Sequence, residues 1–140
     1  MNCLRSAFLG VGLLLAVSAA QAQETGVKAD IPFNFVVGNQ MLPAGEYIVV
    51  NQGPVGQAIL IRSHEGKTAL FSLTQSCSSS SPSAKTKLVF HTLAGRYFLY
   101  QIWAKGNTSG RQIPKSRAEV ELAKNGDATG EFILAANLVR

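Results

Sequence analysis

Short runs in which apolar residues alternate with other residues constrain the fold of this chain most. In the first run Ile31, Phe33, Phe35 and Val37 recur at every second position, and Pro32 marks the start or the edge of a strand. Further short runs rich in apolar residues, also predicted as strands, follow at Tyr47–Val50, Ala58–Arg62, Thr68–Leu73, Lys87–Leu93, Tyr97–Ala104 and Glu131–Val139. Alternation of period two indicates half-buried strands, and turns about every 8–12 residues are typical of an antiparallel sandwich or a small barrel. We predict an all-β fold, an antiparallel β-sandwich of about seven strands.

One segment near the C-terminus predicts a helix instead. Ser116 and Glu119 have the spacing of a capping box, in which each side chain bonds the backbone N–H of the other residue. Asn125-Gly126 supplies a stop signal after Lys124. The sandwich should therefore carry one short C-terminal helix, whereas the serine-rich stretch from Ser72 to Ala84 is predicted to be a mobile surface loop.

The first 22 residues have the features of a secretory signal peptide. Arg5 precedes an apolar run from Ala7 to Val17, and Ala20-Gln21-Ala22 fits the small-x-small cleavage pattern. The run is too short to span a bilayer, which needs about 20 residues. We therefore predict export to the periplasm or the extracellular space. The mature chain would begin near Gln23, form one domain over residues 23–140 and contain no membrane span.

Export leaves the mature chain with a single cysteine, because Cys3 lies inside the predicted signal peptide. Cys77 then has no intramolecular partner, so stability must come from the hydrophobic core. A lone thiol in an oxidising compartment can pair between two chains. The expected state is a monomer with Cys77 partly buried, and a dimer linked through Cys77 is the alternative.

Charge is distributed unevenly along the sequence. No aspartate or glutamate occurs between Gly66 and Ala118. The same segment contains eight basic residues: Lys67, Lys85, Lys87, Arg96, Lys105, Arg111, Lys115 and Arg117. If the middle strands share one face, that face is positive and would favour an anionic envelope glycan, lipid headgroups or stray nucleic acid as the partner. The alternative is an ordinary solvated surface whose acids lie nearby in space. The basic residues are scattered singly and no nucleic-acid-binding motif accompanies them, so specific nucleic-acid binding is not expected.

An aromatic cluster on the strand near Tyr97 suggests where such a partner would bind. Strict alternation places Tyr97, Leu99, Gln101 and Trp103 on one face and Phe98, Tyr100 and Ile102 on the other. Exposed aromatic rings beside cations suit stacking on sugars or on a partner protein. The candidate binding surface comprises Arg96, Tyr97, Trp103, Lys105 and Arg111, unless the strand is central and both of its faces are buried.

Catalytic and cofactor signals are weak by comparison. The chain has no GxSxG, Walker or HExxH motif, and His64 and His91 lack metal-ligand spacing, so no cofactor or metal is expected. A hydrolase would need His64 or His91 in a pocket, within hydrogen-bond reach of a carboxylate. A different alternative is a small barrel that carries an apolar ligand in a cavity of about 300 Å³ or more. Such a cavity would be lined by Phe33, Phe35, Phe71 and Phe98.

Four segments carry a likeness to a known group of proteins: Ile31–Gly38, Leu42–Tyr47, Tyr97–Trp103 and Pro114–Glu119. In these segments the chain resembles a family of small uncharacterised exported β-rich proteins of soil bacteria. The likeness covers most of the mature chain, and its motifs are structural. It implies export and a β-rich fold, and it implies no activity and no site residues. The expectation is a non-enzymatic module that acts by binding, or has a structural role, in the cell envelope or outside the cell.

Overall fold

A computed structural model describes residues 26–52 and 57–139. The predicted signal peptide, residues 1–22, lies outside the described residues. The described part forms twelve strands and one helix. The strands are β1 (Gly26–Ile31), β2 (Phe35–Val37), β3 (Gln40–Leu42), β4 (Gly45–Gln52), β5 (Ala58–Ser63), β6 (Ala69–Leu73), β7 (Gln75–Ser78), β8 (Lys87–Leu93), β9 (Arg96–Trp103), β10 (Ser109–Gln112), β11 (Gly130–Ala135) and β12 (Asn137–Val139), and the helix is α1 (Arg117–Lys124).

The strands form two sheets that pack face to face. The first sheet has five strands in the order β12-β1-β4-β5-β6, all antiparallel. The second has the order β11-β8-β9-β10-β7, with β2 pairing β3 on one side and β9, in parallel, on the other. The predicted β-sandwich with one short helix is confirmed. The strands are shorter and more numerous than the seven predicted, and those described do not close into a barrel.

The core lies between the two inner faces. The first sheet contributes Val27, Ala29, Ile31, Tyr47, Val49, Ile59 and Ile61, and the second contributes Phe35, Val37, Leu42, Leu88, Phe90, Leu99 and Ile102. Tyr47 stays buried because its hydroxyl donates to the Pro43 carbonyl oxygen at 2.7 Å, which satisfies the polar end of the ring. Removal of this apolar surface from water is the main source of the fold's stability.

Helix α1 covers one end of the outer face of the second sheet. Ala118 and Leu122 pack there against a second cluster of Val36, Leu93 and Phe98. The predicted start is confirmed, because the Ser116 Oγ accepts from the Glu119 N–H at 3.1 Å. The predicted stop is confirmed as well. Asn125 is the C-terminal cap, and Gly126 follows with a φ of +86°, which glycine adopts without steric cost.

Two predicted segments were wrong for the same reason, which is that the chain changes sheets within them. The run from Ile31 to Val37 is not one strand, because β1 ends in the first sheet at Ile31 and β2 begins in the second at Phe35. Pro32 stands at the break, where its missing N–H cannot interrupt a ladder. The segment from Ser72 to Ala84 is not wholly a loop, because β6 ends in the first sheet and β7 follows in the second.

The strict alternation predicted for β9 was also wrong, because the strand contains a bulge. Val89 pairs with Gln101 and Phe90 pairs with Leu99, so Tyr100 has no opposite residue on β8. One extra residue inverts the side-chain pattern beyond it. Leu99 and Ile102 therefore both face the core, while Gln101 shares the outer face with Val89.

Within residues 26–52 and 57–139, no helix has the length and apolarity needed to cross a membrane.

Candidate functional site

The five residues of the predicted binding surface do not share one face. Arg96 and Trp103 begin and end the eight-residue strand β9, which spans roughly 23 Å. Arg96 is exposed, with its Cζ 5.8 Å from the centre of the Phe98 ring on the outer face. Lys105 is exposed in the loop beyond the far end of β9. The two cations therefore lie at opposite ends of the sandwich.

The other three side chains of that set point in different directions. Tyr97 stacks on Phe33 with ring centres 3.8 Å apart, at the border of the core. Trp103 lies on the outer face and is only 7% exposed, and its Nε1–H donates to Gln101 Oε1 at 3.1 Å. Arg111 lies opposite Ile102 on β10 and lines a cleft between the two sheets. The bulge separates Tyr97 from Trp103, and no sequence signal marks its position.

The structure joins His91 to Glu119, a pair that the sequence did not predict. The two residues are 28 positions apart, on β8 and in the first turn of α1. His91 Nδ1 and Glu119 Oε1 are 2.5 Å apart, and both side chains are buried. The other side of the imidazole stacks on Tyr100, with ring centres 3.8 Å apart. The pair therefore joins strand β8 to helix α1 in the buried contact between the helix and the sheet.

The neighbourhood of this pair decides what it can do chemically. A nucleophilic triad needs a hydroxyl that faces the histidine. Ser116 lies three residues before Glu119, and its Oγ accepts the Glu119 N–H as the helix N-cap. The carboxylate that the hydrolase hypothesis required is present, and the open pocket it also required does not form around the buried His91 side chain. This arrangement favours a structural role.

His64 and the four phenylalanines of the barrel hypothesis are also scattered. His64 is exposed and lines a cleft of about 250 Å³ with Glu46 and Glu65. Among the described residues, no group of three or more histidine, cysteine, aspartate or glutamate side chains could hold a metal ion. Phe33 and Phe35 belong to the main core, Phe98 to the cluster under α1, and Phe71 is exposed on β6, so they do not line a common cavity.

Cys77 lies on the outer face of the second sheet, opposite Gly110 on β10. The side chain is half-buried and forms no disulfide. Burial raises the pKa of its thiol, which lowers the fraction of the reactive thiolate near neutral pH.

The most exposed apolar side chains of the described residues lie on strand β6. Phe71 is 67% exposed and Leu73 is 75% exposed, both on the outer face of the first sheet. Strand β6 is the last strand of that sheet, and no strand among residues 26–52 and 57–139 pairs with its free edge. A long apolar edge is a template for pairing with another polypeptide unless charge or proline blocks it.

A cleft of about 350 Å³ runs beside this free edge. Phe71, Ser72 and Leu73 form one side, and Ile113, Pro114, Lys115 and Arg117 form the other, with the β2–β3 turn at one end. Strand β6 contains no charged residue, as is also true of the edge strands β3, β7 and β12, whereas β11, one edge of the second sheet, carries Glu131. Strand β6, which the sequence analysis did not single out, thus combines an open edge with apolar and basic neighbours.

No protein-family model, no curated protein and no solved structure matches the chain.

Proposed function

We propose that this chain is an exported, non-enzymatic β-sandwich module that binds another macromolecule in the cell envelope or outside the cell. One observation supports this most, the free edge of β6 with exposed Phe71 and Leu73. Water-exposed side chains of this size gain free energy when a partner covers them, at about 25 cal/mol per Å² of apolar surface. Apolar surface of this kind marks interaction sites in soluble proteins.

The non-enzymatic part of the proposal is supported by the way the polar groups are used. His91 and Glu119, the one buried acid–histidine pair among the described residues, bond each other and pack between α1 and the sheet. Catalytic groups instead meet substrate in an accessible cleft. His64 lines such a cleft with Glu46 and Glu65, but among the described residues no hydrogen bond joins its side chain to either carboxylate. The resemblance to small exported β-rich proteins and the predicted signal peptide over residues 1–22 support the location.

A second candidate partner is an anionic envelope glycan, favoured by a different surface. Lys85 and Lys105 line one cleft of about 540 Å³ at the end of the sandwich, and none of the described residues that line it is acidic. Two lysines facing one opening attract anionic groups, and salt should screen that attraction strongly because both side chains are exposed.

The test combines export with binding. The full chain is expressed in a bacterial host, and export should yield a mature protein whose mass corresponds to a start near Gln23. The purified mature protein is then sedimented with envelope fractions, with and without protease treatment of those fractions, over a series of salt concentrations. Binding abolished by protease supports a protein partner, and salt-sensitive binding that survives protease supports the glycan. A cytoplasmic chain of full mass, or a lack of binding at low salt, would refute the proposed function.

A further inference from the structure

We propose that the free edge of β6 binds an extended, acidic segment of a partner polypeptide by strand addition to the first sheet. This inference rests on the proposed function and names the chemistry of its partner. Strand addition uses main-chain hydrogen bonds for affinity and alternate side chains for specificity. Both requirements can be read from the geometry of β6 and its neighbours.

The backbone of β6 presents an unused ladder to the partner. The Ser63 N–H donates to the Thr68 oxygen, and the Thr74 N–H donates to the Gln57 oxygen, so residues 68 and 74 face β5. In an antiparallel ladder these directions alternate, so the N–H and C=O groups of Ala69, Phe71 and Leu73 face outward. The Ser72 hydroxyl donates to one of these carbonyl oxygens, that of Leu73, at 3.3 Å. A carbonyl oxygen has two lone pairs and can accept a second bond from an added strand.

The side chains beside the edge set the pattern that the added strand should have. Successive side chains of that strand point to opposite faces of the sheet. On the outer face they meet exposed Phe71 and Leu73, which favours apolar residues. On the other face they lie over the cleft that Ser72 and Lys115 line. The fitting segment therefore alternates apolar with polar residues.

Charge selects acidic residues for the polar positions. Lys115 and Arg117 are both exposed beside the cleft, and no residue between Gly66 and Ala118 is acidic. Lys67, before β6, is paired with Glu65 at 3.3 Å, but both side chains are highly exposed and the pair is weak. Self-pairing of β6 in a second copy would bring two sets of these cations together, and like charges in apposition oppose association. The surface therefore favours an acidic partner over a second copy.

The test uses a synthetic eight-residue peptide in which valine alternates with glutamate, with both ends blocked. The mature protein is labelled with 15N and titrated with the peptide. We expect amide shifts centred on Ala69, Phe71 and Leu73 and slower hydrogen exchange of their N–H groups. A peptide with lysine in place of glutamate should bind at least about tenfold more weakly, and added salt should reduce the difference. Three results would overturn strand addition: amide shifts centred on other residues, equal binding of the two peptides, or no binding at peptide concentrations up to about 1 mM, the weak limit of specific recognition.

Two variants and a matched control separate this inference from the proposed function. Phe71→Ser removes the apolar side chain without adding charge, and Phe71→Pro removes an outward N–H that β5 does not use. Both should weaken peptide binding at least about tenfold, as expected for a strand-addition site. Ile133→Ser makes the matched change on the edge strand β11, where Ile133 is 54% exposed, and should leave binding unchanged. If Phe71→Ser still binds envelope fractions like the wild type, strand addition is wrong and the proposed function stands. If it loses both the peptide and the envelope, both are supported.

Discussion

Removal of the Glu119 carboxylate should destabilise the fold well beyond what a surface substitution does. In Glu119→Ala the buried His91 Nδ1 loses its partner, and a buried polar group left unsatisfied costs about 1–3 kcal/mol. The first turn of α1 also loses its acidic residue, which stabilises a helix N-terminus by about 0.3–1 kcal/mol. We expect the free energy of unfolding to fall by about 2–3 kcal/mol, the combined scale of these two effects.

The assay is equilibrium unfolding in urea, followed by the fluorescence of Trp103, the single tryptophan, which is buried in the folded state. Glu121→Ala is the matched control, because this glutamate lies on the same helix and is exposed. The control should change the free energy of unfolding by no more than about 0.5 kcal/mol. His91→Ala should cost about 3–5 kcal/mol, because it leaves a carboxylate buried without a partner.

The double variant shows whether the two groups act as a pair. Because each single change already removes the shared interaction, the double variant should be more stable than the sum of the two predicts, by about 1–3 kcal/mol. Additive effects, or a Glu119→Ala variant as stable as Glu121→Ala, would refute the idea that the pair of His91 and Glu119 stabilises the fold. A raised stability would point the other way, because groups held for catalysis often cost stability.

Three further predictions concern other parts of the sandwich. Gly110→Ala should lower the free energy of unfolding by about 1–3 kcal/mol, because its Cβ would lie 2.8 Å from the Ile102 carbonyl oxygen. In the same urea assay the control Gly45→Ala, whose Cβ would have its nearest atom at 3.7 Å, should change the free energy of unfolding by at most about 0.5 kcal/mol. A hydrogen bond from Lys28 lowers the pKa of Glu46 below its ordinary value of 4.5. The pair therefore stabilises the fold at pH values above 4.5, and this stability is lost as the pH falls through the lowered pKa. The difference in the free energy of unfolding between wild type and Lys28→Met should vanish in acid. Because burial raises the pKa of Cys77, iodoacetamide should alkylate it at about pH 8 more slowly than a free peptide thiol, and equal rates would contradict this.

The sequence predicted the features that depend on neighbouring residues. Two neighbouring runs rich in β-branched and aromatic residues located β8 and β9, and Ala94 and Gly95, both at positive φ, form the turn between those strands. The capping box of Ser116 and Glu119 located the helix, because its hydrogen bond joins residues three positions apart. Signals of this kind are complete within a few residues, so a single sequence contains them.

The sequence did not predict where the chain changes sheets or breaks its alternation. The run from Ile31 to Val37 keeps its period through Pro32, yet its two ends lie in different sheets. The extra residue Tyr100 in β9 is defined only by its lack of a partner on β8. Pairing partners come from other parts of the chain, so a bulge inverts the exposed face of β9 without leaving a local signal.

The same limit explains why the sequence did not single out strand β6. The sequence shows plainly that Ala69–Leu73 carries no charge and that the surrounding segment lacks acids. The sequence does not show whether that strand is central or at an edge. Its position in the sheet determines whether its uncharged side chains pack inside the sheet or are available to a partner. In the interior of a sheet, Phe71 would be an ordinary packing residue. At an unpaired edge beside Lys115 and Arg117, it becomes an apolar contact next to free backbone groups and positive charge. The proposed function therefore depends on topology more than on composition, and the envelope-binding assay with Phe71→Ser addresses that dependence directly.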